Sequence, residues 1–131
     1  MRLLLDTQIA LWAILGDARL PRQAQDLIED RGNDVIVSAA SVWEIAIKYS
    51  LARGRPNDMP ISGHEALAYF RGAGYGMLAV TAQHTAAVAD LPPHHADPFD
   101  RLLVMQALLE PLRLMTRDNV LAAYGSMVLV V

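Results

Sequence analysis

Five acidic residues are placed where they could act together. Asp6 directly follows the apolar run Leu3–Leu5, and Asp97 and Asp100 flank Pro98-Phe99. Asp118 comes three residues after the short apolar run Leu112–Met115, and Glu44 lies in an apolar stretch beside Trp43, between Val42 and Ile45. Carboxylates brought together repel one another unless cations neutralise them. With no cysteine in the chain and no clear histidine motif, an all-oxygen set suits Mg²⁺ or Mn²⁺. Such a centre activates water and stabilises charge developing on a phosphoryl group. Each acid also has a purely structural reading. Asp6 and Asp97 suit helix N-caps, Pro98 suits the first helical position, and Asp100 and Asp118 complement a helix dipole. Glu44 has Lys48 at i+4, the spacing of a surface ion pair. The joint pattern favours the metal reading over these separate ones.

Alternating strands and helices must position these groups. Leu3–Leu5 reads as a buried strand, and Thr7–Leu15 as a helix with Ile9, Trp12 and Ala13 on one face, broken at Gly16-Asp17. Pro21 opens a second helix over Arg22–Arg31, and Gly32-Asn33-Asp34 marks a turn. Val35–Val37 is β-branched and reads as a second strand. Ser38 caps a helix to about Ala52, striped by Val42, Ile45, Ala46 and Tyr49. A polar loop, Arg53–Pro60, follows. Further elements are a helix over Ser62–Arg71, a strand over Met77–Val80 and a helix over Thr81–Ala89 capped by Thr81. A loop over Leu91–Ala96 leads to a helix over Pro98–Leu109, a strand over Leu112–Met115, a helix over Arg117–Ala123 ended by Gly125, and a last strand over Met127–Val131. Strands and helices in alternation predict a parallel sheet covered on both faces. Ligands of such sheets bind beyond the carboxyl ends of the strands, where Asp6 and Asp118 fall.

Composition sets outer limits. The 131 residues suit one domain, and 53% hydrophobic content can fill its core, although aromatics are only 6%. Absence of cysteine suits a reducing compartment. Three leucines between Arg2 and Asp6 are too few for a secretory signal, and no apolar run nears the roughly 20 residues of a membrane span. A soluble, cytoplasmic protein is expected. The net charge of −3 argues mildly against nucleic-acid binding. Two divalent cations in an acidic cluster would move the balance to roughly +1 and remove that objection.

Four segments carry a family resemblance: LLLDTQIALW at 3–12, SAASVWEIAIK at 38–48, LPPHHADPFDRLLVMQA at 91–107 and LMTRDNVLAAYG at 114–125. Together they resemble the PIN-domain ribonucleases, most closely the toxin halves of VapBC-type toxin–antitoxin pairs. The resemblance covers nearly the whole chain. It implies a single PIN-like domain over residues 1–131, a three-layer α/β/α sandwich with a central parallel sheet. It also implies an endoribonuclease dependent on Mg²⁺ or Mn²⁺, restrained by a small antitoxin and forming a homodimer. By motif match the metal-site acids carry over to Asp6, Glu44, Asp100 and Asp118, with Asp97 in a second acidic position. The sequence departs from relatives at Gln8, where histidine is common.

Other residues are weighed beside these. Thr7 and Thr116 either hydrogen-bond the site acids or cap helices. Arg101 and Arg117 either hold RNA phosphates, pair with the adjoining acids or are solvated surface, and Lys48, Arg53 and Arg55 either extend a basic path for RNA or are solvated surface. His94 and His95 touch RNA or metal, or are ordinary loop residues. Leu11, Trp12, Leu15, Leu20, Leu27 and Ile28 form either core or a groove for an antitoxin segment. Two rival functions remain in view. A haloacid-dehalogenase-type phosphatase requires an acid two residues after the first aspartate, where this chain has Gln8. A PIN-like domain kept only for binding would be free to lose its acids, yet all four are present.

Overall fold

Leu3, Leu4 and Leu5 are fully buried in β1 (Arg2–Leu5), because both faces of this strand are covered. Successive strand side chains point to opposite faces. Leu3 and Leu5 therefore join one apolar cluster and Leu4 another. The computed structural model describes all residues, 1–131. β1 is followed by α1 (Thr7–Leu15), α2 (Arg22–Glu29), β2 (Asp34–Ser38), α3 (Ala39–Ser50), α4 (Gly63–Gly72) and β3 (Gly76–Leu78). After these come α5 (Ala82–Ala87), a 3-10 turn (Val88–Asp90), α6 (Pro98–Leu109), β4 (Arg113–Thr116), a 3-10 helix (Asn119–Tyr124) and β5 (Val128–Val130).

The sheet runs β3-β2-β1-β4-β5, every neighbouring pair parallel. Residues of α1 to α4 pack with Leu3, Leu5, Val37 and Met115 on one face. Residues of α6 and the 3-10 helix pack with Leu4 and Leu114 on the other, joined by Ala87 and Val88. The result is a three-layer α/β/α sandwich. No helix is long and apolar enough to cross a membrane.

Strand order reverses at β1. The chain runs outward through β2 and β3, then returns to β4 on the other side of β1. Open parallel sheets bind ligands at this kind of switch point. Leu5 pairs with both Val37 and Met115, so the residue after β1, Asp6, lies at the carboxyl edge between the ends of β2 and β4.

Several boundaries follow from local chemistry. Asp6 Oδ1 accepts from the Ile9 N–H at 2.8 Å and starts α1. Gly16 ends it in the left-handed region at φ 62, a conformation that glycine adopts without strain. α2 stops at Glu29, short of the expected Arg31. Asp30 is extended, and its carboxylate accepts from the Gly32 N–H at 2.8 Å, forming a competing turn. The segment expected as a helix over Arg117–Ala123 is a 3-10 helix over Asn119–Tyr124, capped by Asp118 and ended at Gly125. The helix expected over Thr81–Ala89 likewise ends in a 3-10 turn.

α3 and α4 approach closely at Gly63. A Cβ there would lie 2.7 Å from Ala46 Cβ. Gly63→Ala is therefore expected to lower stability by about 1–3 kcal/mol, the usual cost of overpacking. Urea unfolding would measure this, and an unchanged midpoint would show that α4 shifts freely to admit the methyl group.

Candidate active site

Three aspartates of the carboxyl edge begin as helix caps. Asp6 caps α1, Asp97 caps α6 through the N–H groups of Phe99 and Asp100, and Asp118 caps the 3-10 helix through Val120 N–H. In each case Oδ1 makes the capping bond. The capping and clustering readings of these residues are thus compatible, since a carboxylate has a second oxygen to present elsewhere. The caps also aim three helix N-termini at one place, where their partial positive charge moderates the gathered negative charge.

Asp6, Glu44, Asp97, Asp100 and Asp118 all line one cleft of about 340 Å³, together with Thr7, Gln8, Leu11, Lys48, Met59 and Arg117. α3 brings Glu44 to the cleft from beside the sheet, and the loop after the Val88–Asp90 turn returns the chain to the same edge to start α6. Glu44 is 7% exposed, and its Oε2 accepts from Lys48 Nζ at 2.7 Å. The i+4 pair therefore exists, but its acidic end is buried rather than on the surface. Trp43, beside Glu44 on the same helix, is 61% exposed. It points away from the α3 stripe and meets the Phe99 ring edge-on, with centroids 5.4 Å apart.

The electrostatics reflect this crowding. Burial pushes the Asp6 carboxyl up to about 6 against the lowering effect of bonds from Thr116 and Ile9, with Glu44 and Asp118 pushing further upward. Asp100 is pushed up to about 7 by burial and then by Asp97, Asp6 and Glu44. No protein donor hydrogen-bonds the Asp100 carboxylate, and the nearest basic atom, His95 Nε2, is 3.6 Å away. An all-carboxylate donor set in which Asp6 and Asp100 resist ionisation, and Asp100 lacks a hydrogen-bond donor, fits a hard divalent cation.

The remaining candidates divide. Thr116 is buried, and its Oγ1 donates to Asp6 Oδ2 and accepts from Asp118 N–H, so it links two of the acids. Thr7 donates to Ser41 Oγ at 2.9 Å rather than to a carboxylate, tying α1 to α3. Gln8 lines the cleft with an exposed side chain. Lys48 and Arg117 also line it.

Arg101, expected among the RNA-contacting residues, points elsewhere. Its guanidinium donates to the carbonyls of Val88, Leu91, Pro92 and His95 and to Tyr124 Oη. It clamps the loop before α6, and these bonds leave it no fork to offer a phosphate in the cleft. His94 is exposed, with its ring 5.0 Å from that of Tyr124. His95 is turned inward, its Nε2 2.7 Å from Asp118 Oδ2. Which of the two candidate histidines joins the acids was not legible in a loop that also carries two prolines. Ser41 was missed, although its position one turn before Glu44 on the same helix gave a signal.

The comparisons with known proteins agree with this architecture. The family model of the PIN domain matches residues 3–126. Among solved structures, the chain is similar to one from the crystal structure of VapBC2 from Rickettsia felis bound to a DNA fragment from their promoter. That match has a TM-score of 0.67 and 16% identity, and it covers 100% of this chain and 98% of that one. The search of curated proteins gives no match.

Proposed function

The chain belongs to the PIN domain family, and from that premise we propose that it is a metal-dependent endoribonuclease acting as the toxin of a toxin–antitoxin pair. The observation that carries this reading is the convergence of Asp6, Glu44, Asp97, Asp100 and Asp118 in one cleft at the switch point of the sheet. Asp6, Glu44, Asp100 and Asp118 would hold Mg²⁺ or Mn²⁺, with Asp97 adding negative charge beside them. A bound divalent cation supplies Lewis-acid stabilisation of the phosphoryl charge and makes water nucleophilic near neutral pH. Thr116 keeps Asp6 oriented. Lys48 and Arg117, at the rim of the acids, would receive the phosphates of an RNA strand.

The toxin role is supported by the likeness in fold to a chain of the VapBC2 complex and by a groove beside the cleft. Leu11, Trp12, Leu15, Leu51, Met59 and Pro60 help line about 720 Å³, and Gln8, Leu11, Lys48 and Met59 belong to both depressions. An apolar antitoxin segment lying in this groove could send a basic side chain into the acids and block the site. Leu20, Leu27 and Ile28, considered for the same groove, do not line it. The reading extends to a homodimeric, cytoplasmic protein.

Purified protein should cut RNA with Mg²⁺ or Mn²⁺ and stop when EDTA is added. Expressed alone it should slow growth, and co-expression with a small protein encoded beside it should restore growth and yield a complex. RNA binding without cleavage under either metal would make the domain a binding module. Harmless expression at a good level, with no neighbouring partner, would remove the toxin role while leaving the nuclease.

A further inference from the structure

His95 is held from three sides. Its backbone N–H donates to Tyr124 Oη at 3.0 Å, its ring Nδ1 accepts from the Asp97 N–H at 3.0 Å, and its carbonyl accepts from Arg101 at 3.4 Å. Tyr124 Oη also accepts from Arg101 at 3.1 Å. Tyr124 is the last residue of the 3-10 helix that Asp118 caps. The loop before α6 is therefore tied to both ends of that helix: at Tyr124 through the backbone of His95, and at Asp118 through its ring.

The ring's bonds fix its proton. Nδ1 accepts a backbone N–H, so it carries no hydrogen of its own, and in a neutral imidazole the proton must then be on Nε2. That proton points at Asp118 Oδ2, 2.7 Å away, with Asp100 Oδ2 next nearest at 3.6 Å. Nε2 thus lacks the free lone pair a metal ligand needs, although it lies among carboxylates that could share an ion with it. Asp118 has its Oδ1 engaged by Val120 N–H and its Oδ2 by His95, so the imidazole sets the direction in which this acid faces the cleft.

We infer that His95 is a positioning residue of the site, a neutral imidazole whose Nε2–H holds Asp118 in place for a divalent cation without ligating it. This rests on the reading of the clustered acids as metal ligands. Partners that orient ligands in this way commonly govern metal affinity as strongly as a weak ligand does. His95→Phe keeps a planar ring and removes the donor. His95→Gln keeps a donor and an acceptor at similar reach and removes the ring.

The test is calorimetric titration of Mn²⁺ into the full chain stripped of metal, with ¹⁵N NMR of the histidine rings in the stripped wild type. For His95→Phe the Mn²⁺ dissociation constant should rise by roughly 10–100-fold, the usual range for such partners. His95→Gln should stay close to wild type, and the NMR should place the His95 proton on Nε2. Wild-type affinity in His95→Phe, weakened affinity in His95→Gln, or a proton on Nδ1 would each overturn the inference. The Gln variant and the NMR decide it even if the Phe variant does not fold. A wild type that takes up no Mn²⁺ would instead remove the metal reading itself, and this inference with it.

Discussion

Asp6→Asn is expected to lower metal-dependent RNA cleavage by about a hundredfold or more, the equivalent of roughly 3 kcal/mol of transition-state stabilisation, with its circular dichroism unchanged. The fold should survive because asparagine caps a helix about as well as aspartate. Its carbonyl can accept from Ile9 N–H as Oδ1 does now. What disappears is one negative charge at the end of the central strand, where Thr116 already holds the carboxylate in place. Asp100→Asn should be as damaging to cleavage and cheaper still for the fold, since the Asp100 carboxylate has no hydrogen bond to lose. Glu44→Gln should also cost activity, and it would leave Lys48 without its partner. Asp118→Asn should be milder. Its side chain is 37% exposed and already shares its second oxygen with His95. Cleavage assays across the four variants with Mg²⁺ and Mn²⁺ would rank them. Full activity in Asp6→Asn would remove that residue from the proposed metal site.

The sequence foretold the elements best where side chains control the backbone. α1 and α6 have the expected limits, Thr7–Leu15 and Pro98–Leu109. Each starts at an aspartate cap, and Gly16 or Pro98 closes off alternatives. The parallel sheet was legible because runs such as Leu3–Leu5 and Val35–Val37 are apolar on both faces. Prediction weakened where tertiary contacts decide. Trp43 faces outward because Ile45 and Glu44 take the inner side of α3, a choice its apolar neighbours in sequence do not reveal. Arg101 looked like a phosphate contact because it follows Asp100. Only the folded loop shows four carbonyls and a tyrosine hydroxyl gathered around its guanidinium. The clustering of the acids could be suspected from their place near strand ends. The bonds that distinguish Thr7 from Thr116, and His95 from His94, arise from partners up to 110 residues away in the chain.

Stability of the chelated protein should fall as pH rises, the reverse of ordinary acid denaturation. Asp6 and Asp100 have carboxyls raised from 3.8 to about 6 and about 7 in the folded chain. Between 3.8 and those values the folded state binds more protons than the unfolded state, so raising pH favours unfolding. The stability of the protonated carboxyls is fully present below about pH 4 and is lost as pH passes through 6 to 7. For Asp6 alone a displacement of this size corresponds to about 3 kcal/mol, at 1.36 kcal/mol for each pH unit, and the two acids interact, so their effects do not simply add. A melting temperature lower at pH 8 than at pH 5, by something on the order of 10 °C, is the expected reading in EDTA. Mn²⁺ should restore stability at pH 8, since a ligand that binds only the folded state adds about 2.7 kcal/mol at a hundred times its dissociation constant. It should add little at pH 5, where protons occupy the same oxygens. Asp6→Asn should flatten the pH dependence and, without metal at pH 8, melt above the wild type. A chelated wild type that melts higher at pH 8 than at pH 5 would show that the acids are not held in the crowded, desolvated cluster described above.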